Sequence, residues 1–316
     1  MMTRPFLMGG AASRSSTPVF SGATSTALVL VTAILISKTL NASPLGITRQ
    51  TDVGTVSVSF DADKFAGGIN SIKLNGVEMI NSYDAGRLLQ SAASFDGYGE
   101  CYNPTEGGNR TDYGLNAYNR PQRSHSKLLY QSLDLSVPSL TAETQMAFWF
   151  EPTARYLTQC PKQRPVNTAV LSKYTIRHVT SIRPDGIIDI WTKLKSPEYR
   201  KTAVFEMLTG YMHKSFSKFW KFDKTVHART TLSDGPGEQP YPVIMSTADG
   251  TRAMGVYCDG NPEQSGGYGR WRFKAEETMK WNVVWRTSSF GPGEFTAHCY
   301  VPVGTLEQVT SSIDNL

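Results

Sequence analysis

Along most of the chain beyond residue 50, apolar and polar positions alternate in short runs. Residues 55–60, Thr-Val-Ser-Val-Ser-Phe, follow the period of two that marks a half-buried strand. Ile72-Lys73-Leu74 then meets Val77-Glu78-Met79 across Asn75-Gly76, and this predicts a tight hairpin because both turn residues need positive φ. A second hairpin is predicted where residues 174–183 and 187–194 flank Pro184-Asp185-Gly186, since proline presets φ and glycine relieves the turn. Further strands are predicted at 146–150, 203–207, 253–258, 270–273, 281–287 and 294–303. Gly-, Pro-, Asn- and Ser-rich loops such as 234–242 and 259–269 separate them. One helix is predicted after Thr305, where Thr305 and Gln308 have the capping-box spacing. Neither a repeat of about 20–50 residues nor strand–helix–strand alternation is present, so the pattern predicts a large all-β sandwich.

The first 42 residues break this pattern. Residues 27–36 (ALVLVTAILI) form an apolar run with Arg4 and Arg14 before it and Lys38, Asn41 and Ala42 after it. A basic start, an apolar stretch of about 7–15 residues and a small-residue exit match an export signal, and the run is shorter than the roughly 20 residues of a spanning helix. Residues 1–42 are therefore expected to be a cleaved signal peptide, with an uncleaved N-terminal anchor or a buried helix as the alternatives. The product would be secreted or periplasmic, touching a membrane only through an uncleaved N-terminal segment. Removing residues 1–42 from the 316 leaves 274, enough for one large all-β domain or two smaller ones.

Loss of Arg4, Arg14 and Lys38 takes the net charge from +5 to about +2. The remaining Lys and Arg are scattered, without the basic stripe of a nucleic-acid binder. Lys214, Lys218, Lys221 and Lys224, interleaved with Phe216, Phe219 and Trp220, read as a solvated face beside buried aromatics more readily than as an anion patch. Cys101, Cys160, Cys258 and Cys299 permit two disulfides in any of three pairings. No zinc spacing occurs, and Asp61-Ala62-Asp63 lacks the later ligands of a calcium loop, so no metal or cofactor is expected. G-x-S-x-G, P-loop and G-x-G-x-x-G motifs are absent, which removes support for serine hydrolases and nucleotide enzymes.

Candidate chemistry concentrates in residues 83–108, YDAGRLLQSAASFDGYGECYNPTEGG. Arg87, Gln90 and Asn103 offer paired hydrogen bonds; Asp84, Glu100 and Glu106 accept hydrogen bonds or move protons; Tyr83, Phe95, Tyr98 and Tyr102 offer flat faces. That mixture suits a polyhydroxylated ligand. Asp84, Glu100 and Glu106 are the candidate catalytic carboxylates, and two of them roughly 5–10 Å apart would serve glycoside cleavage. Tyr83, Arg87, Gln90 and Asn103 are candidate ligand contacts. The same carboxylates would equally well bond backbone amides in Gly-rich loops, and Asp84 with Arg87 would equally well form a loop-fixing ion pair. A second concentration at residues 206–213 adds Glu206 and Tyr211 as candidate subsite residues, with Trp220 as a stacking platform, although Tyr and Trp are more often core or rim. His178 lies within an alternating run and reads as a satisfied sheet histidine before a catalytic base.

The pattern Tyr83-Asp84-Ala85-Gly86-Arg87-x-x-Gln90, followed by Asn103-Pro104-Thr105-Glu106-Gly107-Gly108, resembles one found in uncharacterised exported bacterial proteins with a galactose mutarotase-like fold, and residues 303–307 are also similar to that group. The resemblance covers residues 50–316 and implies a large antiparallel β-supersandwich with few short helices, one domain over residues 43–316. Mutarotases use a histidine acid and a glutamate base, and neither falls on a matching motif here, so neither role is carried over. The expected function is an exported carbohydrate-active protein, a polysaccharide hydrolase or lyase. The alternative is a non-catalytic glycan-binding or cell-envelope scaffold protein. The partner in either case is a poly- or oligosaccharide.

Overall fold

The computed structural model describes residues 44–81, 87–97, 104–107, 124–148, 170–259, 267–273 and 278–316. Strands β1 (Leu45–Thr51), β2 (Gly54–Phe60), β3 (Ser71–Leu74) and β4 (Val77–Glu78) form a four-stranded sheet in that order. The β3–β4 turn is the predicted one, with Asn75 at φ 51° and Gly76 at φ 79°. Between β2 and β3 lies the one-turn helix α1 (Ala62–Phe65). Asp61, the residue that opened the calcium-like spacing, is its N-cap and accepts the Lys64 amide hydrogen.

The remaining strands are β5 (Leu89–Phe95), β6 (Pro104–Thr105), β7 (Lys127–Asp134), β8 (Ser139–Phe148), β9 (Leu171–Ile182), β10 (Ile187–Ser196), β11 (Ala203–Met212), β12 (Lys218–Asp223), β13 (Ala228–Leu232), β14 (Gly237–Gln239), β15 (Val243–Ser246), β16 (Ala253–Asp259), β17 (Gly267–Phe273), β18 (Thr278–Thr287) and β19 (Gly293–Gly304). They form one large sheet in the order β13-β12-β15-β16-β19-β10-β9-β8-β6-β5-β11-β18-β17-β14, with β7 on β8. Every described pairing is antiparallel. The sheet doubles back so that the β9 side chain His178 touches Ser91 of β5, which makes the fold an all-β antiparallel supersandwich. Cys258 and Cys299 face each other across β16 and β19 and form a disulfide. Cys101 and Cys160 lie outside the described residues, as does the proposed leader.

The predicted helix is α2 (Leu306–Asp314). Thr305 accepts the Gln308 amide hydrogen while the Gln308 side chain accepts that of Thr305, so two helix-end donors are satisfied reciprocally. Leu306, Val309 and Ile313 seat it against Phe222, Ile244 and Ala253.

Two larger apolar clusters fill the sandwich. One joins Val56, Val58 and Ile72 to Ile188, Ile190, Leu208 and Trp281; the other gathers Phe95, Tyr174, Ile176, Leu194 and Phe205. Inward positions along β9 run Tyr174 and Ile176 in the second cluster, then His178 and Thr180, then Ile182 in the first. Along β10, Thr192 likewise separates Leu194 from Ile190, and on β5, Ser91 separates Leu89 from Ala93. A buried polar layer thus divides the core.

Candidate functional site

In β11, Ala-Val-Phe-Glu-Met-Leu-Thr-Gly-Tyr-Met, the alternation is interrupted once. Glu206 pairs with Val284 and Leu208 with Val283, so Met207 is the extra residue of a bulge. The bulge resets the faces: Phe205 and Leu208 both point into the core, while Glu206, Thr209 and Tyr211 all point outward. Cross-strand partners share a face, so the register extends this outward set through Gln90–Thr209–Asn282–Gly269–Glu238 and through Tyr211–Lys280–Trp271. Five strands, β5, β11, β18, β17 and β14, build the face.

A cleft of about 440 Å³ opens on it, lined by Glu206, Lys280, Asn282, Trp271, Arg270 and Glu238, with Gly237 and Gly269 in its floor. Glycine at 269 is needed there, because a Cβ would lie 2.2 Å from Asn282 Oδ1 and would block the amide from crossing the neighbouring strand. Trp271, 45% exposed, is backed by Phe273, with ring centroids 5.0 Å apart and planes at 11°. Arg270 is pinned through Ser233 and Gln239, and Arg286 holds Glu238 with two bonds of 2.8 Å.

Glu206 is the electrostatic centre of the cleft. It accepts hydrogen bonds from Thr209 Oγ1 at 2.6 Å and from Lys280 Nζ at 3.1 Å. Burial opposes ionisation of its carboxyl, but Lys280, Thr209 and Asn282 together outweigh burial and hold it below the usual carboxylate range. The Lys280 ammonium also lies 5.6 Å from the centre of the Tyr211 ring. The cleft therefore presents a fixed carboxylate, an ammonium, an amide and an aromatic plate to one volume. Lys280→Met is expected to raise the Glu206 titration midpoint, as read by carboxyl-carbon NMR; an unmoved midpoint would show that the ammonium does not set it.

Of the residues singled out from sequence, Gln90, Glu206 and Tyr211 are on this face. Gln90 is 3% exposed, with its carbonyl oxygen accepting the Gly107 amide hydrogen. Arg87, just ahead of β5, and Glu106 are 4% and 1% exposed, so both are inside the protein rather than along an open groove. Trp220 lies elsewhere, on β12, where its indole donates to Ser246 Oγ and the Arg229 guanidinium covers its ring. Tyr83, Asp84, Glu100 and Asn103 lie outside the described residues. Lys280, Asn282 and Trp271 escaped the sequence reading. Their signal is the alternation in β18, where Lys280 and Asn282 are polar between the buried Met279, Trp281 and Val283.

Glu106 instead joins His178 in the buried polar layer. Ser91 spends its only hydroxyl hydrogen on the Met207 carbonyl, so the neutral hydroxyl oxygen accepts from His178 Nε2 at 3.0 Å. His178 Nδ1 is left facing Glu106 Oε1 at 3.3 Å, while Glu106 Oε2 accepts the Ser91 amide hydrogen at 2.8 Å. Burial pushes Glu106 up to about 8 against the smaller pull of the Ser91 amide, and burial pushes His178 down to about 4. At neutral pH burial keeps Glu106 protonated and His178 uncharged, so the pair carries no net charge.

No family model matches the sequence. No curated protein sequence matches it either. Among solved structures, the chain is similar to the α-galactosidase from Lactobacillus brevis (TM-score 0.42, 11% identity, covering 83% of this chain and 40% of that one). It is also similar to a GalM/aldose epimerase homologue from C. elegans (TM-score 0.39, 8% identity, 84% and 100%) and to a heparinase III, the BT4657 gene product (TM-score 0.40, 8% identity, 84% and 35%). The chain thus spans less than half of the galactosidase and heparinase chains and the full length of the epimerase homologue.

Proposed function

We propose that the protein recognises a carbohydrate chain in the cleft over β11, β18, β17 and β14. One observation carries this reading: Trp271, an exposed ring held flat by Phe273, borders the same volume as Glu206, Lys280 and Asn282. A pyranose has an apolar face to stack on an indole and a rim of hydroxyls that donate to a carboxylate and accept from an ammonium or amide. Export to an oxidising compartment belongs to the same proposal and is supported by the Cys258–Cys299 disulfide.

Recognition is favoured over hydrolysis by a carboxylate pair, because Lys280 holds Glu206 ionised and so unsuited to donate a proton, and Arg286 binds both oxygens of Glu238. A second reading, cleavage by a lyase, draws on the same Glu206–Lys280 contact: an ammonium neutralises a uronate, a carboxylate takes the adjacent proton, and the neighbouring glycosidic C–O bond breaks to leave a C=C bond, with the departing oxygen protonated by water. Incubation of the purified chain with a glycan panel separates the two. Retention without products is the expected result, and Trp271→Ala should weaken it by about tenfold or more, as one lost stacking contact of about 1.4 kcal/mol would. Unsaturated-uronate absorbance would establish the lyase, new reducing ends without it a hydrolase, and retention indifferent to Trp271→Ala would remove the cleft from the account.

A further inference from the structure

The opposite half of the large sheet carries a second arrangement of this kind, on the outward face of β8, β9, β10 and β19. Register places Val179, Trp191 and His298 in one row across β9, β10 and β19, and Glu143, Arg177, Lys193 and Thr296 in the next. Lys195 follows one row further along β10, opposite Thr175 and Glu294. Between the rows lies a groove of about 350 Å³, lined by Trp191, Arg177, Lys193 and Lys195 among others.

Two features make this more than an uncovered sheet face. Trp191 is 49% exposed yet held in place, because its indole stacks on the His298 ring at 4.0 Å and 13°. His298 is itself fixed, its Nε2 2.7 Å from Asp189 Oδ1 and its Nδ1 3.0 Å from the Tyr300 hydroxyl, which donates to Asp259. An exposed indole on so firmly anchored a shelf is a pre-organised platform that loses little freedom when a ligand covers it.

The second feature is charge. Arg177, Lys193 and Lys195 outnumber Glu143 and Glu294 in the groove. Lys193 is neutralised by Glu294 at 2.9 Å, Arg177 reaches Glu143 only at 4.0 Å, and Lys195, whose charge acts on Glu294 through space, makes no direct ion-pair contact among the described residues. A ligand that stacks on Trp191 and carries a carboxylate toward Lys195 and Arg177 completes the groove's charge. We propose that this groove is a second saccharide site, for an acidic chain of uronate residues, separate from the cleft at Trp271. It deepens the proposed carbohydrate recognition by naming an acidic class of chain, and it stands on its own strands.

The test is calorimetric titration of the full chain with an oligogalacturonate and with a neutral galacto-oligosaccharide. It is repeated for Trp191→Ala, Trp191→Phe, Lys195→Ala and Trp271→Ala, with sedimentation run alongside. Saturable oligogalacturonate binding is expected, weakened by raised ionic strength, lost about tenfold or more in Trp191→Ala and kept in Trp191→Phe. Lys195→Ala should weaken the acidic chain several-fold and leave the neutral one unaltered, while Trp271→Ala should weaken binding in the cleft and leave the Trp191-dependent binding of the oligogalacturonate intact. Binding that survives Trp191→Ala but disappears with Trp271→Ala would overturn the second site and uphold the cleft. Loss in both variants would merge the two sites into one and overturn their independence. Equally tight binding of the neutral chain that is likewise lost in Trp191→Ala would overturn the acidic assignment. Self-association abolished by Trp191→Ala would show that a second copy of the chain occupies the groove, and would overturn the proposal as well.

Discussion

Trp281→Ala is expected to destabilise the protein by about 3–5 kcal/mol, the range for emptying a buried tryptophan site. Trp281 is fully buried in the first core cluster, directly beneath the strands that carry the cleft. Its partner across β11 is Gly210, and a Cβ there would lie 2.3 Å from the indole Cε2. The indole thus takes the space a side chain at 210 would need. Gly210→Ala alone is expected to cost about 1–3 kcal/mol by overpacking. It should also displace Thr209 and Tyr211, so that glycan retention falls together with stability. In the double variant the clash disappears with the ring, and the two costs should sum to less than their separate values. Urea unfolding of the four proteins measures this. Additive costs, or a Trp281→Ala cost under about 1 kcal/mol, would show that the ring does not support β11 in this way.

Stability should also depend on pH in a way set by the buried Glu106–His178 pair. Glu106 titrates near 8 in the folded chain against an ordinary 4.5, so the folded state binds more protons between those values. Its contribution is complete below about 4.5 and is lost as pH rises through about 8. His178 titrates near 4 against an ordinary 6.5, so its contribution is present above 6.5 and lost as pH falls toward 4. Between 4.5 and 6.5 the two slopes oppose and cancel. Between 6.5 and 8 only Glu106 acts, and its contribution falls by about 2 kcal/mol, at roughly 1.4 kcal/mol per pH unit. Glu106→Gln keeps the shape and supplies an N–H toward Nδ1, so it should remove that fall while the protein stays folded. Equal pH profiles for the two proteins would refute the assignment.

The hairpins were legible because the chemistry of their turns is local. Asn75-Gly76 and Pro184-Asp185-Gly186 fall between strands that pair as the alternation predicts, and the Thr305–Gln308 capping box opens a real helix. β5 was not legible, since Leu89, Gln90 and Ser91 are all buried and a strand covered on both faces shows no clean alternation. β11 was cut short at Met207 because the bulge shifts the period by one residue, so the strand runs on to Met212. The site was legible only in part for the same reason. Glu206 and Tyr211 lie on one strand, but Lys280, Asn282 and Trp271 reach them through pairings made some 60–75 residues away in sequence. The Glu106–His178 contact joins two layers, and neither residue's neighbours in sequence announce it.

The most direct measurement of the central claim is a diffraction structure of the full chain grown with a saturating oligosaccharide that it retains. A sugar ring lying flat on Trp271, with hydroxyls in hydrogen-bond reach of Glu206, Lys280 or Asn282, is the predicted result. An empty cleft in crystals whose saccharide is bound elsewhere would contradict it.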